Sequence, residues 1–336
     1  MHNITVFAVL VIIVSCISVA PVFAEGLQAA DIQPSYAFSF SPQFGFVWGH
    51  AEEIVYATGN TVSPVLSELL WNMKPVFYYG FLMDLSRIEP RDRWGFFTEL
   101  SLKFGIPAFS GRHENRDWMS VENSDVTHFS RHSNFTRELF LADLLAGCSF
   151  PLRRAMLLKA YVNVSFMRFS FTGNDGTGTY AYESGGSGSG KYDSIDDNSA
   201  YHAVFDGTVI SYTQEWFIAA PGVSFGWYFY KNCFGEISFL ISPLVLCADM
   251  DEHKERNIQY RDYIRGGIML EPGIRLSVDA GKWLDISWEL AWRYIALSRG
   301  ITYWRSPIGA GTYVLGGEAG AGLSMLSSGL YFRITL

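Results

Sequence analysis

The feature that most constrains this chain is a period-two alternation of apolar and polar side chains, repeated over long segments that are separated by stretches rich in Gly, Ser, Asp and Asn. From Trp94 one parity reads Trp94, Phe96, Thr98, Leu100, Leu102 and Phe104, while the other carries Glu99, Ser101 and Lys103. From Lys159, the polar set Lys159, Tyr161, Asn163 and Ser165 opposes Ala160, Val162, Val164 and Phe166. Arg265, Glu271, Arg275 and Ser277 similarly oppose Ile264, Ile268, Leu270, Ile274, Leu276 and Val278. The clearest case sets Asp285, Ser287, Glu289 and Arg293 against Leu284, Ile286, Trp288, Leu290, Trp292 and Tyr294. Successive side chains of a strand point to opposite faces, so each segment has one greasy wall and one charged wall.

A soluble β-sandwich shows the same alternation, with its apolar parity turned to a partner sheet. Other features favour an apolar parity that faces lipid and a charged parity that fills a lumen. Aromatic residues make up 16% of the 336 positions, and Trp and Tyr gather near segment ends, as interfacial girdles would. The final residues alternate Leu330, Phe332, Ile334 and Leu336 with Tyr331, Arg333 and Thr335, which reads as a closing strand. After Ala24 no apolar stretch is long enough for a spanning helix, so a membrane-embedded chain crosses as strands. The expected fold class is all-β: a transmembrane antiparallel barrel of about ten strands. Short turns are expected at Pro151-Leu152-Arg153, Tyr230-Lys231-Asn232 and Ala280-Gly281-Lys282, and long polar loops at 106–134, 172–212 and 249–262, the long side being extracellular. Inward Lys, Arg, Glu and Tyr would fill so narrow a lumen, which argues against a diffusion pore.

Residues 1–24 contain no Asp, Glu, Lys or Arg, and the apolar run Ile4 to Val14 leads to Val22-Phe23-Ala24, a small-x-small cleavage pattern. They read as a signal peptide, with 25–336 as the barrel. An uncleaved anchor, or lipidation at Cys16 within Ile13-Val14-Ser15-Cys16, are the alternatives. Cys148, Cys233 and Cys247 are too few and too scattered to describe a disulfide framework. The net charge of −8 argues against a nucleic-acid partner and favours cationic ones.

Several polar clusters lie in the expected loops. Asp117-Trp118-Met119 is followed by Ser130-Arg131-His132; Asp249-Met250-Asp251-Glu252-His253 lies further on, and Glu53-Ile54-Val55-Tyr56 lies near the first strand. In this combination the chain resembles the omptin family of ten-stranded outer-membrane endopeptidases. The resemblance implies a site at the extracellular rim, where an Asp-x-His pair faces an Asp-x-Asp pair across a groove and a water between them attacks the peptide carbonyl. Asp251 and His253 match the first pair, and their i, i+2 spacing puts both on one face of a strand, where the carboxylate can orient the imidazole as general base. Asp117 matches the second pair, but Asn115 stands where the family has Asp; an amide can hold a water but cannot take its proton. Glu53 and Asp249 match the family's substrate-binding carboxylates, which implies Arg or Lys before the cut.

The resemblance further implies a bacterial outer-membrane location, lipid and lipopolysaccharide as surroundings, basic peptide or protein substrates, a monomer and no cofactor. A catalytically impaired barrel acting as an adhesin or binding protein is the alternative that Asn115 raises. Ser130 and His132 are expected to order a loop, although a Ser130 nucleophile served by His253 is a further chemical option. Asp125, His128 and His132 have metal-like spacing without the helix that would bring them to one face, so no metal is expected. Gly185 to Lys191 mimics a phosphate loop but continues into Tyr192, which predicts a plain surface loop. Strand parity poses one problem. Glu236, Ser238 and Ser242 share the inward parity and Asp249, Asp251 and His253 have the other, which predicts a bulge between about Leu246 and Asp249.

Overall fold

The computed structural model describes residues 35–59, 61–88, 94–153, 155–197, 199–281 and 284–335; the signal-peptide reading and its Cys16 alternative lie outside them. Its regular structure is one antiparallel sheet of thirteen segments, with no helix among the described residues. In chain order these are β1 (Ser35–Tyr56), β2 (Val65–Ile88), β3 (Gly95–Gly105), β4 (Ala108–Asp117), β5 (His128–Arg153), β6 (Met156–Tyr180), β7 (Tyr201–Tyr230), β8 (Cys233–Ser242), β9 (Leu244–His253), β10 (Ile258–Arg265), β11 (Met269–Gly281), β12 (Leu284–Arg305) and β13 (Val314–Thr335). Three spans are interrupted and counted twice. β3 and β4 follow each other between β2 and β5, β8 and β9 both flank β7, and β10 and β11 both flank β12. Ten spans therefore circle the axis, and β1 pairs with β13 from Ser39↔Thr335 to Val55↔Ala319, so the ring closes without an edge.

Closure brings backbones close enough to demand glycine at one place. Gly45 and Gly329 are register partners across the β1–β13 seam, and Tyr78, the register partner of Gly45 on β2, lays its ring along the inner wall against both. A Cβ would come within 2.5 Å of the Tyr78 hydroxyl at Gly45 and within 2.3 Å of it at Gly329, so neither position has room for a side chain.

The alternating parities face as the sequence indicates. On the outside, Phe44 is 57% exposed, Val162 53%, Ile237 52% and Leu330 45%, and side chains like them follow one another round the ring. A continuous apolar belt of this kind is stable against hydrocarbon and not against water. At its lower margin Trp94, Phe150, Tyr228, Phe229 and Tyr230 are exposed beside the short turns. Inside, ion pairs fill the lower lumen: Arg293 with Asp143 (3.0 Å) and Glu271, Arg275 with Glu289 (2.7 Å), and Lys159 with Glu236 (2.9 Å). Above them a layer of large apolar side chains, Trp71, Met73, Met167, Phe169, Phe171, Tyr212 and Trp216, has no exposed surface.

The asymmetry of the two ends holds, but most of the expected long loops are strand. Segments 106–134, 172–212 and 249–262 shrink to connections at 118–127, 181–200 and 254–257, because β4, β5, β6, β7, β9 and β10 continue through them. Their outer faces explain why alternation fades there. Glu138, Arg168 and Glu215 form an ion-paired chain on the outer wall, and higher up Arg116 bridges Glu68 and Glu114 while Arg131 also holds Glu114. Above the belt both faces meet water, so the sequence loses its hydrophobic period while backbone pairing continues. The mimic of a phosphate loop is a turn ordered by Glu183, whose carboxylate accepts the Gly188 and Gly190 N–H groups.

The parity switch is real and lies a few residues before the predicted Leu246–Asp249 interval. Leu240 pairs with Gly222 but Leu244 with Ala219, so this span carries one residue more than β7 at Ser242-Pro243-Leu244. Proline, which lacks a ladder donor, sits at the bulge, and the Ser242 hydroxyl substitutes for the lost pairing by accepting Leu244 N–H (2.9 Å) and donating to Ala219 O (2.6 Å). Inward side chains are even-numbered through Ser242 and odd-numbered from Val245. Ser242→Ala should destabilise the barrel by about 1–3 kcal/mol, by orphaning a buried donor and acceptor. Chemical-denaturant midpoints in micelles measure this, and an unchanged midpoint contradicts the bulge's dependence on the hydroxyl.

Candidate active site

The bulge at Pro243 turns Val245, Cys247, Asp249, Asp251 and His253 of β9 into the upper barrel. The His253 imidazole donates through Nε2 to Asp251 Oδ2 at 2.9 Å and lies edge-on to Tyr260. Asp251 is 3% exposed, whereas His253 keeps about a fifth of its side chain open. With Nε2 committed as donor, the lone pair of Nδ1 is the free basic position.

On the opposing wall β4 presents Asn115 and Asp117, and Ser67 of β2 stands beside both. Its hydroxyl oxygen is 2.6 Å from Asp117 Oδ1 and 2.9 Å from Asn115 Oδ1. One hydroxyl carries one proton, which the carboxylate attracts more strongly. The amide then completes the chain when its nitrogen faces Ser67, giving Asn115 N–H to Ser67 O–H to Asp117. Asn115, Asp117 and His253 line a single open cleft, together with His113, His128, Ser130 and His132.

Ser130 and His132 are thus in the cleft wall, on β5, and not in a loop. Ser130 Oγ lies 3.1 Å from His132 Nε2, so its hydrogen-bonded imidazole is His132 and not His253. Under the cleft, His113 stacks on Trp71 at 3.8 Å and Trp71 on Tyr212 at 5.2 Å. Burial, with His132 nearby, holds the His113 imidazole well below its usual basicity, and burial lowers His132 as well.

The two expected substrate-binding residues, Glu53 and Asp249, are both inside, at 2% and 6% exposure. Tyr212 O–H donates to Asp249 at 3.2 Å. A third carboxylate that the motifs did not single out joins them: Asp262, on β10 opposite Asp249. All lie at or above the outer-wall chain of Glu138, Arg168 and Glu215, since Glu215 pairs with Ala248 and Gln214 with Asp249, so the site is beyond the lipid-facing belt. Burial raises the carboxyl of Glu53 well above the usual range, and the nearby Asp251, Asp249 and Asp262 add to it. Burial likewise raises Asp249 and Asp262. Ser67 and Asp262 carried no sequence signal beyond their polarity, because each is recognised only through its strand neighbours.

These carboxyls weaken the fold that holds them. A carboxyl whose affinity for protons is higher folded than unfolded contributes a stability that is present at low pH and declines as pH rises above the unfolded value. Glu53→Gln should therefore raise the melting temperature at pH 8 by a few degrees and leave it nearly unchanged at pH 4. Equal shifts at both pH values would contradict the uncompensated burial of Glu53.

No curated protein sequence matches the chain. Among solved structures it is similar to the outer membrane protease OmpT from Escherichia coli, with 17% identity, 92% of this chain and 99% of that chain covered, and a TM-score of 0.79. Far weaker likenesses link it to the translocator domain of the autotransporter NalP from Neisseria meningitidis (9% identity, 93% and 91% covered, TM-score 0.38) and to the transport unit of AIDA-I from Escherichia coli (10% identity, 92% and 93% covered, TM-score 0.36). At such identities the first likeness is one of fold, and the other two carry no argument. The model of the Omptin family, however, matches residues 35–334. With the closed ten-span barrel and the paired motifs at its rim, this match makes the chain a member of the omptin family.

Proposed function

We propose that the protein is an endopeptidase of a bacterial outer membrane that cuts peptides after or between basic residues, using a water activated by His253. One observation carries this reading: Asn115 and Asp117 from one wall and His253 from another line the same cleft, above a cluster of buried carboxyls. Family membership and the fold of a protein named an outer membrane protease support it. The apolar belt would sit in the lipid of that membrane, where lipopolysaccharide is the candidate contact, and the reading needs neither a cofactor nor a second copy of the chain.

In this mechanism a water lies between Asp117 and His253. Nδ1 of His253 takes a water proton, and Asp251 steadies the imidazolium that forms. The remaining hydroxide attacks the scissile carbonyl carbon, and the same imidazolium returns the proton to the departing amine. Asp117 orients the water by accepting its second proton in a hydrogen bond, and Ser67 fixes the carboxylate. Asn115, a donor where relatives have an acceptor, holds the water or the developing oxyanion through its amide N–H. Glu53 and Asp249 take the basic side chain before the cut.

The test is hydrolysis of a fluorogenic dibasic peptide by the refolded barrel. His253→Ala is expected to lower kcat by about 10²-fold or more, the usual contribution of a positioned base. No cleavage, or cleavage indifferent to this change, removes the proposal. Asn115 favours one second reading, a barrel that binds basic peptides without cutting them. Asn115→Asp separates the two: a silent wild type that gains hydrolysis with this change shows a site intact but for Asn115 and removes the endopeptidase reading of the natural chain.

A further inference from the structure

Asp262 differs from the two carboxylates that the family motif supplies. It is 1% exposed, and neither of its carboxylate oxygens makes a hydrogen bond of ordinary length and angle among the described residues; the Thr302 hydroxyl and the Asp249 carboxyl are the side chains nearest to sharing one with it. Its neighbours across the sheet are Asp249 on β9 and Thr302 on β12. Beyond β12, the upper inner wall of β13 carries the small, fully buried Ala319 and Ala321, and Ala321 is the register partner of Glu53. Only small side chains therefore stand on this wall beside Glu53, and Glu53 Oε2 is likewise without a partner. The neighbouring charges acting on Glu53 are all carboxylates, those of Asp251, Asp249 and Asp262. A folded chain tolerates orphaned buried acceptors where a ligand supplies the donors.

The number of acceptors bears on which cation they suit. A guanidinium is planar and presents its donors as a fork that one or two carboxylates satisfy side by side. An ammonium is compact, strongly hydrated and carries three donors radiating from one atom, so it gives up its water readily only where three acceptors converge. Two carboxylates side by side suit the planar fork, and a third on a neighbouring strand adds acceptors outside that plane, which a compact ammonium can use.

We propose that Asp262 is a specificity-determining residue: with Glu53 and Asp249 it forms a three-carboxylate receptor that favours lysine over arginine in the residue before the cut. This inference rests on the endopeptidase reading for the meaning of the cut, but the receptor can be tested without hydrolysis.

Two peptides that differ only in Lys or Arg before the scissile bond are compared on wild type and on Asp262→Asn, which keeps the shape and removes the charge. The expected result is a kcat/KM for the lysine peptide reduced tenfold or more, with the arginine peptide changed less than threefold. Equal losses for both peptides, or no loss for either, overturn the inference. The same pair with an N-methylated scissile bond is titrated by calorimetry, which reads recognition alone. Weaker binding of the lysine peptide to Asp262→Asn, with arginine binding retained, upholds the receptor even if no protein cuts anything, and then only the endopeptidase reading fails. Binding of neither peptide by the wild type, or binding indifferent to Asp262→Asn, overturns it. Where Asp262→Asn does not refold, Asp262→Ser is used, with the same outcomes expected.

Discussion

The whole molecule depends on one requirement: a backbone surrounded by hydrocarbon must pair every N–H and C=O within itself. Pairing of the first strand with the last meets it, and much else follows from that closure. A ring of ten spans is narrow, so the polar parity of each strand is pressed into a shared interior where its side chains must satisfy one another. The seam in turn depends on Gly45 and Gly329, which allow Tyr78 to lie against it from within. The alternation in the sequence is thus the record of two different solvents, lipid outside and the protein's own charges inside.

Those interior charges are handled in two contrasting ways. In the lower lumen each is matched: Arg293 serves Asp143 and Glu271, Arg275 serves Glu289, and Lys159 serves Glu236. Buried pairs add little net stability, but breaking one leaves an uncompensated charge, so the network is self-enforcing. In the upper lumen Glu53, Asp249 and Asp262 are buried with no such match, an arrangement that burdens the fold. Natural proteins keep unpaired buried charges chiefly where a ligand completes them. The contrast between the two halves marks the upper lumen as the candidate site independently of any motif.

Much of this could be read from the chain alone. Side-chain period fixes which face of a strand is wet, and so the inward placement of Glu99, Lys103, Lys159, Arg275 and Arg293 was legible. So was the need for a frame change between Ser242 and Asp249, because parity cannot reverse without an extra residue. Its position at Pro243 was not, since a bulge is set by how a neighbouring strand pairs. The rim strands were misread as loops because hydrophobic period reports burial, and above the lipid both faces are wetted. Asp117, Asp251 and His253 were found through a resemblance. Ser67 and Asp262 join the candidate site only by virtue of their cross-strand neighbours, and one-dimensional spacing holds no trace of that.

The apolar layer of Trp71, Met73, Met167, Phe169, Phe171, Tyr212 and Trp216 lies between the wet cleft above and the ionic lumen below. It acts as a septum. Seen from the rim, the lumen is plugged by closely packed rings and thioethers, threaded by hydrogen bonds from Asp249 through Tyr212 and Gln214 to Trp216, so the wet cleft and the ionic lumen share a wall and not a water column.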